Sequence, residues 1–400
     1  MTHDHDVLIA GGGLVGGSLA LALRGTGLRV AVIEAQPESA RLASAAGDRA
    51  LALSWGSVQI LRQLGIWGDI EPHAAAIRHI HVSDRGHLGK VRLHADDLGV
   101  AALGYVATAR VIETAIARAL SAAALDMLCP ASLMGVTSGR GGVHVSLRHG
   151  AESMALTARL LIGADGGNST VRRLLEIGQA VREYGQTAIV TEVETALPNQ
   201  GVAYERFTAA GPLAMLPLGK RRSSVVWTQK HADAEELVVL SDAEFRERLQ
   251  QAFGFWLGKL TLTGPRRSFP LRLIRAERMQ AERVLLVGNA MHQLHPVAGQ
   301  GFNLGLRDVA LLAERLTACR EFGEDIGDPG FLQRYVKARH SDLEAVIRFT
   351  DGLVGVFSTD LAPVSVVRNL GLLALDQLPP LKNLLTRHAM GLSERLPRFG

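Results

Sequence analysis

Gly11, Gly13 and Gly16 stand in the order G-x-G-x-x-G, and Glu34 follows eighteen positions after the last of them. In this pattern the first glycine permits a tight turn, the second lets the backbone approach a pyrophosphate, and the third lets a helix pack close to a strand. The helix that starts there offers free N–H groups and the positive end of its dipole to phosphates. A carboxylate at the distance of Glu34 accepts both ribose hydroxyls of an adenosine and disfavours a 2′-phosphate. A triphosphate-binding P-loop requires Lys and then Ser or Thr after its second fixed glycine, whereas Gly17 and Ser18 follow Gly16 here. The loop therefore reads as a holder of NAD or FAD.

Two further runs carry reactive side chains. Asp165-Gly166-Gly167-Asn168-Ser169-Thr170-Val171-Arg172 places a carboxylate, a hydroxyl and a guanidinium just after an apolar stretch. The run from Gly288 through Asn289, His292, His295, Pro296, Gly299, Gly301, Phe302 and Asn303 closes at Asp308. His292 and His295 form H-x-x-H, a spacing that suits a metal. No third His, Cys or carboxylate is placed to complete such a site, so no metal is expected.

These runs match two motifs of the flavin-dependent aromatic hydroxylases, the single-component class A monooxygenases. The first fits D-G-x-x-S-x-x-R and the second fits their distal flavin motif, and the resemblance extends over nearly the whole chain. Asn289 departs from the pattern, which usually has Asp there. That Asn, with the run Leu294 to Asp308, resembles the ubiquinone-biosynthesis hydroxylases in particular. Within that branch, His81 to His87, Glu205-Arg206-Phe207-Thr208, Gly211 to Pro217 and Ala252-Phe253-Gly254 are similar to hydroxylases of 2-polyprenyl-6-methoxyphenol.

The resemblance implies bound FAD, with NAD(P)H and O₂ as co-substrates. It implies a flavin C4a-hydroperoxide whose distal oxygen passes to an electron-rich carbon of a polyprenylated phenol. It places Gly11, Gly13, Gly16 and Glu34 on the adenosine and pyrophosphate, Arg49 near the flavin and phosphates, and Arg110 as a further cofactor contact. Asn289 falls on the ribityl or pyrophosphate portion. Gly301, Phe302 and Asn303 fall around the isoalloxazine ring, through backbone N–H groups and the Asn amide. Asp165 and Arg172 are expected near the pyrophosphate and the transient NAD(P)H site, and His295 with the Pro296 carbonyl at the catalytic end, beside the phenol hydroxyl. Two alternatives share these motifs: a flavin hydroxylase of a soluble aromatic, and a non-catalytic prenyl-binding module of the same fold.

These residues need a frame to hold them. Asp6 to Ala10 and Arg29 to Glu34 read as buried strands flanking an apolar helix from Leu14 to Leu23, a βαβ unit with a parallel sheet. Arg110 to Ala124 has helical spacing, and Gly142 to Arg148 alternates like a strand. Arg159 to Asp165 and Arg283 to Gly288 are further buried strands, and a helix follows over Asn303 to Arg320. Between Thr187 and Lys230 the pattern turns antiparallel, with a hairpin of Leu213 to Leu218 and Ser223 to Lys230 turning at Gly219-Lys220. Phe207, Met215 and Trp227 there suit either a pocket wall or core.

The fold class is thus α/β: a Rossmann-like FAD-binding domain with an inserted antiparallel-sheet substrate domain and C-terminal helices, the aromatic hydroxylase fold. The FAD-binding domain is assigned to 1–75, 100–180 and 275–340, the substrate domain to 76–99 and 181–274, and the helical region to 341–400. That last region is expected to break at Pro363 and at Pro379-Pro380.

Composition narrows the setting. In 400 residues, 43 Lys and Arg against 39 Asp and Glu leave a dispersed net charge of +4, so no nucleic-acid partner is expected. Cys129 and Cys319 are too far apart for a metal or redox motif, which points to a reducing compartment. The N-terminus lacks the basic and apolar regions of a signal peptide, and no apolar run reaches the ~20 residues of a membrane span. A cytoplasmic protein is expected, soluble or peripheral at the inner face of the cell membrane, where a polyprenyl substrate resides. Leu353 to Phe357 and Leu370 to Leu375 are its candidate docking helices or sheet cover, and other quinone-biosynthesis proteins its candidate partners.

Overall fold

A computed structural model describes residues 3–87, 89–294, 300–357, 369, 371, 374, 376–392 and 395–399. His295, Pro296, Pro363 and most of 370–375 lie outside the described residues.

β1 (His5–Ala10), α1 (Leu14–Ala22) and β2 (Val30–Ile33) form the expected βαβ unit, with Val7 to Ala10 paired in parallel to Val30 to Ile33. Their residues are apolar on both faces because helices and further strands cover both, as a parallel sheet requires. β3 (Glu152–Gly163) lies on the other side of β1, and Val284–Leu286 lies beyond β3, both in parallel register. Ala10 faces both Ile33 and Gly163, and Gly163 faces Leu286. The loops that follow these four strands therefore leave side by side from one edge of the sheet. The glycine loop with Glu34, the start of the Asp165–Arg172 run and the turn at Gly288 lie on or next to those loops, at the carboxyl ends where open α/β sheets bind ligands.

A second, nine-stranded sheet has the spatial order His292–Gln293, Arg267–Ala276, Gln179–Thr195, Arg222–Lys230, Gly211–Pro217, β4 (Val202–Thr208), His79–Asp84 and Lys90–His94, with Leu260–Leu262 paired to Gln179–Thr195. Gly211–Pro217 and Arg222–Lys230 are the expected hairpin. The helices His231–Val239 and Asp242–Phe253 cover one face, and a capping box between Ser241 and Glu244 fixes the start of the second. Met215 and Trp227 are buried beneath them with Phe245 and Phe253, so these two are core and not pocket wall. The reason is the two-residue period. Met215 lies opposite Tyr204, whereas Phe207 shares the other face with Ala203 and Glu205.

Three helices complete the frame. α2 (Gln300–Glu321) packs on α1, and Gly305 allows the contact because a Cβ there would come within 2.9 Å of Val15. α3 (Pro329–Phe357) runs unbroken through 341, because no Gly or Pro interrupts 331–351. The boundary drawn there from sequence does not coincide with a helix end. α4 (Pro379–Ala389) begins at the prolines expected to interrupt it, since a proline fits the first turn, where its missing N–H has no partner to lose. Among the described residues no helix is long and apolar enough to cross a membrane.

Candidate active site

A cavity of about 1230 Å³ separates the loop-bearing edge of the parallel sheet from the face of the nine-stranded sheet opposite its two covering helices. Gly11, Gly13, Glu34, Arg49, Asp165, Asn289, Gly301, Phe302 and Asn303 all line it. Gly16 sits behind this lining. A Cβ there would lie 1.9 Å from the Gly11 carbonyl oxygen, so only glycine lets α1 start against the turn. Gly11 itself has φ +101°, in the region that favours glycine.

The described residues fit a dinucleotide at this edge. Gly13 caps α1 without offering any side-chain acceptor, and a Cβ on it would meet nothing within 4 Å. The first N–H groups of α1 thus lack a side-chain cap where the wall is open. Asp165 accepts the Thr170 N–H at 2.6 Å and the Val171 N–H at 3.0 Å through Oδ2, while its Oδ1 is buried with no partner among the described residues. Glu34 accepts the Gly12 N–H at 2.7 Å through Oε2 and the Gln36 N–H at 2.8 Å through Oε1. Each oxygen has a second lone pair for a ribose hydroxyl.

Arg41 escaped the reading of the sequence. From the short helix Glu38–Ala43 its guanidinium comes 3.5 Å from Glu34 Oε2 and donates to the Gly12 carbonyl at 2.7 Å. Glu113 also lines the cavity unannounced, and burial pushes its carboxyl up against the pull of Arg49, Arg41 and Arg110.

Three expectations change on inspection of side-chain bonds. Arg110 does not line the cavity. It donates to the Ser44 carbonyl at 3.1 Å and pairs with Asp48, which Arg267 also holds at 3.1 Å, so it braces the turn before Arg49. The hydrogen bonds from Arg110 and then Arg267 hold the Asp48 carboxyl below its usual range. Arg172 is buried and spent on the Ala290 and Gly167 carbonyls and Gln179, each at 2.7 Å. It ties the loop after β3 to the Gly288–Ala290 turn. Asn303 accepts the Ser54 N–H at 2.9 Å and donates to the Ala52 carbonyl at 2.8 Å, so its amide pins the start of α2 to the strand Ala50–Ser54. At Gly301, which lines the cavity, a Cβ would meet nothing within 4 Å, so the backbone there is open to the cavity.

Beneath the distal loop lies a charged network in the core. Asp308 accepts the Gly288 N–H at 3.1 Å, lies 3.2 Å from His292 Nε2, and pairs with Arg339 of α3 at 2.7 Å. Arg339 also reaches Asp342, which pairs in turn with Arg307 of α2. His292 is therefore engaged by a carboxylate. Among the described residues no group of three His, Cys, Asp or Glu could hold a metal.

The opposite wall of the cavity is the apolar sheet face, with Ile80, Val82, Leu93, Phe207, Ala214 and Leu216 among its lining. Glu205 stands among them on β4, its carboxyl making no hydrogen bond or ion pair to any described residue, and burial pushes that carboxyl up to about 7.

Comparison with known proteins follows the same outline. The family described as "FAD binding domain" matches residues 4–350. A ubiquinone hydroxylase, UbiL, of Rhodospirillum rubrum is 41% identical over 388 residues, covering 96% of this chain and 89% of that one. The 3-demethoxyubiquinol 3-hydroxylase of Escherichia coli is 32% identical over 97% of this chain and 98% of its own. In three dimensions, p-nitrophenol 4-monooxygenase of Pseudomonas putida superposes with a TM-score of 0.78 at 19% identity, covering 99% and 100% of the two chains.

Proposed function

From the premise that this chain belongs to the ubiquinone-hydroxylase family of FAD-dependent aromatic monooxygenases, we propose that its substrate is a phenol bearing a polyprenyl chain. The observation that carries this reading is the continuity of one cavity from the glycine loop to an apolar sheet face, larger than the ~300–1000 Å³ of most ligand pockets. When bound and reduced by NAD(P)H, FAD would supply the activation of O₂, one atom of which enters the ring.

In this reading the chain's residues bind, orient and exclude water. Gly11, Gly13 and the start of α1 take the pyrophosphate, Glu34 the ribose, and Asp165 Oδ1 a hydroxyl of the cofactor. Arg172 and Asn303 hold the loops that shape the ring's seat, and the nine-stranded sheet carries the substrate. His295 and Pro296 stand as candidates for the phenol end.

The test is hydroxylation of a short-chain 2-prenyl-6-methoxyphenol beside 2-methoxyphenol, with products followed by mass spectrometry. Burying most of one five-carbon unit contributes about 2 kcal/mol or more, so kcat/KM should fall roughly thirtyfold when the chain is removed. Equal values for the two phenols would favour a soluble aromatic substrate. No NAD(P)H oxidation despite bound FAD would favour the binding module.

A lipid-dwelling substrate also calls for a docking face. Leu385 and Ala389 of α4 line the cavity while Leu381 and Leu384 are exposed, as is Leu378 just before the helix. We assign these leucines to the bilayer surface. Replacing Leu381 and Leu384 by Glu should lower liposome co-sedimentation at least tenfold and leave turnover of the short-chain phenol in detergent unchanged. Unchanged sedimentation would refute the assignment.

A further inference from the structure

We propose, on the reading above, that Glu205 receives the phenolic hydroxyl of the substrate, accepting its hydrogen bond and then its proton as the ring is oxygenated. Glu205 lies on the cavity face of β4 between Ala203 and Phe207, with Val82 and Ala214 beside it on the adjacent strands. On His79–Asp84, Lys90–His94, β4, Gly211–Pro217 and Arg222–Lys230 it is the one charged residue among the described lining. The neighbouring charges turn away. Arg206 lies over the Trp256 ring at 4.7 Å and donates to the Ala252 carbonyl, and His81 stacks on the same indole from the outer face. From the elements packed against it, Val91, Leu93, Pro212, Leu216, Leu385 and Ala389 face the same space, and none can titrate. Arg272 lines the cavity from Arg267–Ala276, four strands away and so roughly 19 Å by the spacing of adjacent strands.

A carboxyl without a partner on an apolar wall is costly, and a ligand that brings one O–H and is otherwise apolar meets it best. A phenol with a hydrocarbon tail is such a ligand, and its hydroxyl is the group whose electron release activates the ring. In the step inferred here the phenolic O–H bond breaks and its proton passes to a Glu205 oxygen. The freed electron pair is delivered through the ring to the carbon that bonds the oxygen atom supplied by the reduced flavin and O₂. The ring C–H proton then leaves to water, and the Glu205 carboxyl returns its proton to the original phenol oxygen. The carboxylate is regenerated, and the net change on the substrate is one added oxygen. A phenol near 10 does not surrender its proton to a carboxylate near 7 in the resting complex, so the transfer accompanies ring attack.

The experiment uses FAD-loaded protein, with binding read from the perturbation of the flavin spectrum. The probes are 2-methoxyphenol, its short-chain 2-prenyl-6-methoxyphenol homologue, and the methyl ether of each, which lacks the O–H. Wild type should prefer each phenol over its ether by about tenfold, and Glu205→Leu should bind phenol and ether equally while retaining FAD. Glu205→Gln should keep FAD and NAD(P)H oxidation but form product at least about a hundredfold more slowly. It should also lose the fall in rate that wild type shows as pH drops through about 7, where the carboxyl becomes protonated. An undiminished preference for the O–H in Glu205→Leu, or wild-type product formation by Glu205→Gln, overturns the proposal. Wild-type preference for 2-methoxyphenol that vanishes only in Glu205→Leu, with no binding of the prenylated phenol, supports Glu205 and overturns the prenyl reading instead.

Discussion

A Gly16→Ala chain should emerge from purification colourless, with its affinity for FAD reduced at least about a hundredfold. The added Cβ would lie 1.9 Å from the Gly11 carbonyl oxygen and 3.1 Å from the Ala164 Cβ, and the first of these is backbone that cannot rotate away. The start of α1 must retreat from the turn by more than an ångström. Two or more N–H contacts to phosphate are then lost at about 1.5–3 kcal/mol each, which gives the stated factor. Gly13→Ala is the informative control. Its Cβ meets nothing in the protein, so this variant should fold with wild-type stability and still bind FAD more weakly, because the methyl occupies the approach to the pyrophosphate. Fluorescence titration with FAD, beside thermal unfolding of the unloaded chains, separates the two failures. Equal affinities for Gly16→Ala and wild type would remove the glycine loop from the cofactor site.

Arg339→Met should lower stability by about 3–5 kcal/mol at pH 7, the cost of leaving a buried carboxylate without its cation, and the melting midpoint by roughly 4–6 °C. The dependence on pH distinguishes this from simple loss of packing. In the intact protein, burial raises the Asp308 carboxyl, but Arg339, His292 and the Gly288 N–H outweigh it and hold the group at about 2. Its contribution is complete above the unfolded value near 4 and is lost as pH falls through about 2. With the guanidinium gone, burial prevails and the folded value lies above the unfolded one, so the variant weakens as pH rises. The deficit relative to wild type should therefore widen between pH 5 and pH 8. A constant deficit in calorimetry at those two values would refute the electrostatic account. Asp342 keeps Arg307 as a partner, which limits the damage to the Asp308 end.

The parts of this architecture that were legible in the sequence are those with local periodicity. The βαβ unit and the hairpin depend on neighbours in the chain, and glycines at fixed offsets in a loop mark the turn that joins strand to helix. Arg339 and Asp342 were not legible. At i,i+3 on a long helix they read as a solvated charged pair, and only the packing of α3 against α2 buries them on Asp308. Arg41 was missed for the same reason, since its proximity to Glu34 comes from the fold of a short helix and not from a motif. Arg110 erred in the opposite direction: its place at the start of a helix beside the site suggested a cofactor contact, whereas Asp48 and Ser44 already engage it. Glu205 was quoted only for its family likeness, because a carboxyl in an alternating strand ordinarily faces water, and here the second face of the sheet is a cavity.

The hydrogen bond from Ser54 to Asn303 spans 249 positions of the chain. That span, together with the late arrival of Val284–Leu286 beside β3, sets an order of events during synthesis. While a ribosome has made only the glycine loop and the first two strands, the cradle lacks its third and fourth loops and the pin that seats α2. Newly made chain must wait, with its central strands short of partners, until three quarters of the protein has cleared the exit tunnel. Cofactor capture is accordingly one of the last steps of maturation, and a cell short of flavin would accumulate a nearly finished chain, not a stalled beginning.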